Sequence, residues 1–459
     1  MITVPLLYGI GTKPTGNPEV ILPLNLELVK KSTGEGEGYA IQTDGMVNFI
    51  EGNGVDRGGI NWNGRYFRVS GTDLIEIYKD GTKVVRGTIP GDTLCRFDYS
   101  FDTLSISNGQ NLYFYSNENK QQIASINDFG QVLDHKFMDG YFFTIDGANI
   151  VQSDLTDKTK ANPLKYGSSE LDPDNIVALQ RIRGELYVIN EYTTEVFNNV
   201  GGTNFVLARV NGAQSMVGCV GTHANAVLND TLVQVGSSRG SAISIWALSR
   251  GDVKRISTKD IDYELNKLTE TERRAIQLEV KLYFNGNKLL VHLPKFSYMY
   301  DSDNGVWSQL QSNENGYRAR NLVLWESNWH CGDTQSNYLG ILDENVKSHF
   351  GDKVDYQLVT MLLDNAGDKM ILHQVNLLIS TSNSSEESTI GMSVSKDNGT
   401  TYSAIRYKNI HPGKRDQQPI WVKMGMFKTN MTIKFTWNSD AVLVVKKLLV
   451  ALETLSYGK

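Results

Sequence analysis

Few residues in this chain of 459 stand at spacings that chemistry requires. Gly236-Ser237-Ser238-Arg239-Gly240 matches the G-x-S-x-G nucleophile elbow and follows a strand-like run, Thr231 to Val235. An elbow must open into a helix that presents its serine at the turn. Here Ala242 to Leu248 alternates as a strand does, so a hairpin loop is the better reading. Asp301-Ser302-Asp303-Asn304-Gly305 approaches a calcium loop, but its glycine is fifth rather than sixth and Ser312 occupies the place of the bidentate Glu. A polar turn is expected there. The seven histidines never fall two to four residues apart, and Cys95, Cys219 and Cys331 form no CxxC pair. Neither a metal site nor a disulfide framework is expected. No catalytic residue and no cofactor is assigned.

One motif is specific. Ser395, Asp397, Gly399, Thr401 and Tyr402 fit the Asp-box order S-x-D-x-G-x-T-[WY] at every position. In such a box the Ser and Asp side chains hold loop amides, the glycine takes positive φ, and the aromatic ring anchors the hairpin in its sheet. These five residues are expected to staple a turn. Sialidase-type glycosidases carry several such boxes away from their active sites, so a single copy says little about catalysis.

The elements around these residues read as β throughout. With 42 glycines, only 10 prolines and 44 aromatics, the chain suits many short strands joined by tight turns. A turn residue followed by an alternating apolar run recurs at Asn63-Gly64, Asn108-Gly109, Asp139-Gly140, Arg183-Gly184 and Asn285-Gly286. Weaker copies stand at Asn229-Asp230 and Glu326-Ser327. Such pairs supply the positive φ of a two-residue hairpin, and their spacing approaches the ~40–50 residues of a propeller blade. The reading is all-β: an N-terminal extended arm over 1–38, with Gly34, Gly36 and Gly38 at its end; a divergent β-propeller of about six blades over 39–345; and a C-terminal β-sandwich-like domain over 346–459. A string of sandwiches is the alternative that hairpin signals leave open.

Two capping signals, Ser257 to Asp260 and Thr269 to Glu272, with Ile261, Leu265, Leu268, Ala275 and Ile276 at helical spacing, predict a short helical insertion at about 258–279.

Charge narrows the partners. Lys+Arg 45 against Asp+Glu 51 leaves a net charge of −6, so affinity for a polyanion is not the default. No apolar run reaches the ~20 residues of a membrane span, and the opening Met1 to Gly9 lacks a basic n-region. Synthesis in the cytoplasm without membrane insertion is expected.

Several blocks stand in an order that resembles the packaged-DNA stabilisation proteins of short-tailed bacteriophages, also called tail hub or nozzle proteins. They are Leu22 to Leu26, Gly38-Tyr39, Asp44-Gly45, Asn53 to Gly58, Tyr66 to Val69 and Ile77 to Gly81. Further along come Leu289 to Pro294 with Met299 to Asp301 and Trp307, His330 to Asp333 with Tyr338 to Leu342, and the Asp-box. Residues 150–230 depart most from that pattern. The resemblance implies a structural virion-tail protein that is not an enzyme. It implies a homo-hexameric ring below the portal and head-to-tail adaptor, extending the DNA channel and helping to retain the genome until ejection. Its implied partners are the adaptor, the tail needle, tailspike or fibre proteins, and genomic DNA passing without sequence-specific contact. A propeller glycosidase or a glycan-binding tail protein, acting on host surface polysaccharide, is the alternative.

Overall fold

Among the described residues seven four-stranded antiparallel sheets follow one another, and in five of them the first reversal falls on a turn signal. In the computed structural model Asn63-Gly64, Asp139-Gly140 and Arg183-Gly184 all have positive φ, as do Asn229-Asp230 and Glu326-Ser327. This is the backbone that two-residue hairpins need. Residues 7, 13–17, 31–37, 125, 283–285, 365–367, 383–386, 412 and 456–459 lie outside the described residues, and with them Gly34, Gly36 and Asn285 of the turn and arm readings.

The chain divides into two compact units, each discontinuous in sequence. One comprises Asn48–Pro294 and Arg318–Ile341; the other comprises Met1–Val47, Lys295–Tyr317 and Leu342–Lys459.

The first unit is the propeller. Its blades open with the strands Asp56–Trp62, Arg96–Tyr99, His135–Met138, Ile176–Ile182, Asn225–Leu228, Gln277–Lys281 and Ala319–Trp325. Each of these strands touches the next, and the last touches the first, so they close a ring around an axis. Seven four-stranded sheets stand among the described residues, against the expected six or so. The miscount has a physical cause. The seventh sheet takes its outermost strand, Gly45–Glu51, from upstream of the first blade, so no run of sequence shows it whole. In the sixth sheet the second hairpin, Ser297–Asp301 with Val306–Leu310, is counted with the other unit.

Apolar layers fill the gaps between blades. Trp62, Phe67, Leu74, Ile106 and Tyr113 pack between the first and second; Tyr66, Ile75, Val323, Trp325 and Leu339 pack between the seventh and first. Two tryptophans tie a blade to the next: Trp62 Nε1 donates to Ser100 O at 3.2 Å, and Trp325 Nε1 donates to Gly64 O at 2.9 Å.

The insertion is two helices, Lys259–Lys267 and Glu270–Arg274. Thr258, not Ser257, caps the first, accepting the Ile261 amide. Ser257 Oγ instead accepts the Ile245 amide and donates to Asp262. Thr269 and Glu272 form the reciprocal capping box. Helix ends at Arg274, short of the expected 279, because Gln277–Lys281 is recruited as the sixth blade's first strand.

The second unit is a β-sandwich. One sheet centres on the long pair Lys369–Thr381 and Leu443–Leu455; the other runs Tyr356–Val359, Asn430–Trp437, Ser388–Ser395, Arg406–Ile410. Residues 1–38, expected as an extended arm, contribute Ile2–Val4 and Leu26–Val29 to the first sheet. Between the sheets lies one apolar core, including Leu372, Met392, Trp421, Phe427, Phe435 and Leu448.

Candidate functional site

Acids cluster near the propeller axis, where a glycosidase would hold its catalytic pair, yet those on the inner strands are already committed. Asp98 Oδ2 accepts the amide of Phe137 at 2.7 Å, and Asp134 Oδ2 accepts that of Leu179 at 3.0 Å. Glu279 Oε1 accepts that of Leu322 at 3.1 Å. In each case a carboxylate of one blade holds the backbone of the next. Two of the receiving strands are bulged there, between Ile176 and Ala178 and between Arg320 and Val323, which frees an amide to turn toward its neighbour. The seventh and first blades are joined by side chains: Asn321 Nδ2 donates to Asp56 Oδ2 at 2.7 Å, and Arg68 Nε donates to Asp56 Oδ1 at 3.1 Å. Arg68 also reaches Asn321 O.

Arg96 crosses the axis. From the second blade its guanidinium donates to Thr222 O just before the fifth blade, and its Nε lies 3.8 Å from Asp134 of the third. Gln180 Nε2 donates to Asn225 Oδ1 at 2.8 Å nearby. Burial raises the Asp134 carboxyl, but Arg96, Lys136 and the Leu179 amide outweigh it and hold it below the ordinary range. His135, buried and bonded through Nε2 to Ser105 Oγ at 2.8 Å, is pulled down to about 4 by loss of water. These groups hold the ring closed, with their charges fixed.

On one side of this plug opens a cavity of about 1380 Å³. Asp92, Asp146, Glu191, Tyr113, Tyr192 and His223 are among its walls, with Arg273 and Arg274 at the helical insertion. Arg274 is paired to Glu270 at 2.7 Å, and Arg273 donates to Asn266 O at 2.8 Å. Burial, reinforced by Arg96, holds the His223 imidazole neutral, down to about 3.

The five residues of the Asp-box meet in one turn. Ser395 Oγ donates to Asp397 Oδ1 at 2.7 Å and accepts the Gly399 amide at 2.8 Å. Asp397 accepts the Thr401 amide at 2.9 Å and the Thr401 hydroxyl at 2.6 Å. Those bonds, from Thr401 first and then Ser395, pull the Asp397 carboxyl down to about 2. Lys434 Nζ stands 3.8 Å above the Tyr402 ring. The back of the turn supports the N-terminal hairpin Gly9–Thr12 with Pro18–Ile21: Thr12 Oγ1 donates to Asn398 O at 2.9 Å, and a Cβ on Gly399 would come within 2.9 Å of Gly11 Cα.

The weaker motifs are turns. No helix follows Gly236; the chain passes through Ser238, whose Oγ donates to Ser241 Oγ at 2.8 Å, into the strand Ser244–Ser249. Asp301 accepts the amides of Asp303 and Asn304 at 2.9 and 3.1 Å, closing a polar turn. Cys95, Cys219 and Cys331 are buried free thiols. Of the stitching residues, Asp56 and Arg68 fall inside the blocks Asn53 to Gly58 and Tyr66 to Val69 with no role assigned to them, and Arg96, Asp134 and Asn321 were not singled out. A charge inside an alternating strand reads as solvent-facing, and only the closed ring puts it inside.

A closed ring of seven sheets with its axial acids spent on backbone amides, and a sandwich with an apolar core, define a β scaffold. Residues 2–347 match the family model described as bacteriophage P22 Gp10, beta-propeller, and residues 355–453 match bacteriophage P22 Gp10, beta-sandwich. The chain belongs to this P22 Gp10 family of phage packaged-DNA stabilisation, or tail hub, proteins, a family of virion structural components. No curated protein matches it in sequence. Among solved structures, the N-terminal domain of Nup159 aligns at 10% identity with a TM-score of 0.43, over 70% of this chain and 98% of that one. PorZ of Porphyromonas gingivalis, a type-IX secretion component, aligns at 7% identity with a TM-score of 0.41, over 83% of this chain and 46% of that one. Likeness at this level carries no functional information.

Proposed function

We propose that this tail hub protein acts without chemistry, as the subunit of a homo-hexameric nozzle ring. The ring sits below the portal and head-to-tail adaptor, extends the DNA channel, helps to retain the packaged genome, and anchors needle, tailspike or fibre proteins. The observation that carries this reading is the succession of the two family domains over nearly the whole chain. The plugged axis agrees with it. Arg96 bars the propeller's own centre, so a duplex would pass through a channel formed between copies. A ring of this kind needs a heterologous interface whose rotation closes. A net charge of −6 suits a conduit, because tight counterion-releasing contacts would hinder a sliding phosphate polymer.

Imaging tails assembled with this chain tests the reading: six copies in a ring beneath the adaptor are expected. Tails that form and eject DNA without the chain would overturn it, as would turnover of a capsular or sialylated polysaccharide by the purified protein.

A further inference from the structure

Two surfaces of this chain complement one another. The first is the mouth of the axial cavity. The turns that line it, residues 90–94, 108–111, 146–147 and 191–192, carry Asp92, Asp146 and Glu191 and neither Lys nor Arg, while the helical insertion adds Glu270 with Arg273 and Arg274. All three of these turn acids are exposed or half-buried. Arg274 is paired to Glu270 and Arg273 is held on Asn266 O, whereas the carboxylates of Asp92, Asp146 and Glu191 have no hydrogen-bond or ionic partner among the described residues. Tyr192 adds ring surface to the same concavity, with the Arg239 guanidinium 4.5 Å from its ring centre.

The second surface is the open side of the sandwich, where the edge strands Arg406–Ile410 and Ile420–Phe427 end the two sheets. They are tied together there: Trp421 Nε1 donates to Arg406 O at 2.8 Å, and the Arg406 guanidinium lies 3.1 Å from Met424 Sδ. Between Lys396 and Lys434 stand eight basic residues and two acids. Arg406, Lys408, Lys414, Arg415, Lys423 and Lys428 are all exposed, while the nearby Asp416 is engaged by Lys446 at 2.7 Å. Apolar side chains flank this edge. Ile405 and Tyr407, 44% and 62% exposed, lie on one flank over Gly391; Ile420, Val422 and Met426, at 37%, 48% and 49%, lie on the other. Positive φ at Lys423 and Gly425 bulges the edge, which blocks strand addition and leaves side chains to make the contact.

We infer that the basic, apolar-flanked edge of one copy's sandwich seats in the acidic axial mouth of a second copy's propeller. The inference rests on the ring reading and gives it an interface. Opposite charges on two different patches of one chain make a head-to-tail contact, the kind that repeats around a ring. The apolar flanks favour a protein groove over DNA, since a phosphate surface offers them nothing to bury against.

The test uses full-length chains, half of them ¹⁵N-labelled, assembled into tails and treated with a zero-length carbodiimide cross-linker. Mixed-isotope peptides joining Lys408, Lys423 or Lys428 to Asp92, Asp146 or Glu191 are expected. Lys408→Glu, Lys423→Glu and Lys428→Glu together should remove them, and pairing that variant with Asp146→Lys, Glu191→Lys chains should restore association between unlike copies. Unchanged hydrogen-exchange protection in each variant shows that it is folded. Tails that incorporate the chain but show cross-links from other surfaces, or only within one copy, overturn this interface and leave the ring reading standing. So does protection of these lysines by added duplex DNA at physiological salt. Failure of the wild-type chain to enter a ring at all overturns both.

Discussion

The propeller and the sandwich bury different things. The sandwich encloses an apolar core in which Trp421, Phe427, Phe435 and Leu448 meet between two sheets. The propeller is apolar between its blades but polar at its centre, where Asp56, Arg68, Asp98, Asp134 and Glu279 hold neighbouring strands. Two flat sheets need only surfaces that fit, whereas seven blades around an axis must also be held at one mutual rotation. Directional bonds to backbone amides supply that angle, which dispersion contacts do not.

The comparison is broken most directly at Arg68. Arg68→Leu strands the Asp56 carboxylate in the interior and should cost about 3–5 kcal/mol. Phe435→Ala in the sandwich should cost a similar ~3–5 kcal/mol by leaving a cavity. The two differ in rescue. Adding Asp56→Leu to Arg68→Leu should recover much of the loss, since an ion pair replaced whole is often neutral, while no charge change near Phe435 would help. Denaturant unfolding of the single and double variants checks this, with regional hydrogen exchange locating the damage.

Acid sharpens the contrast. His135 and His330 are held neutral at about 4 by burial, and Arg68 adds to it at His330. The unfolded chain takes up these protons below ~6.5, the folded propeller only near 4. Their contribution is therefore complete above the unfolded value and is lost as pH falls from ~6.5 toward 4, on the order of 2–3 kcal/mol for each histidine. Asp397 in the sandwich has the opposite kind of partner and a pKa near 2. Its contribution is present above the ordinary carboxylate range and fades only as pH falls toward 2. Hydrogen exchange at pH 7 and pH 5 should show the propeller loosening first; equal loosening of both regions would contradict the assignment.

The smallest effects belong to the Asp-box. Asp397→Ala removes bonds to the Thr401 amide and hydroxyl and should cost ~1 kcal/mol. Gly399→Ala puts a side chain at φ +80 and presses on Gly11 Cα, for about 1–2 kcal/mol. In both variants the loss should appear as faster exchange in the hairpin Gly9–Thr12, with the propeller unchanged.

What the sequence disclosed follows from distance along the chain. Hairpins are local, so Asn63-Gly64, Asp139-Gly140 and their weaker counterparts at Asn229-Asp230 and Glu326-Ser327 mark one sheet each, and Thr269-Glu272 announces its helix. The alternation of Gln374 to Ser380 and of Met431 to Trp437 likewise marks two sandwich strands. The pairing of Gly45–Glu51 with Tyr338–Asp343 is separated by nearly the whole propeller and leaves no local trace. The same holds for Arg96, whose partners at Asp134 and Thr222 are brought to it by ring closure. Residues 1–38 read as an extended arm because a strand partner such as Leu443–Leu455, which pairs with Ile2–Val4, lies at the far end of the sequence.

The borrowed strand has a consequence during synthesis. Gly45–Glu51 leaves the ribosome first and must wait, unmated, until Tyr338–Asp343 follows it out. The circle thus cannot be latched until synthesis has passed Asp343, and a message truncated anywhere in the blades releases a polypeptide with an open seam. Once latched, pulling on either end of the ring tugs at a strand from the other, so neither blade at the seam can peel away alone.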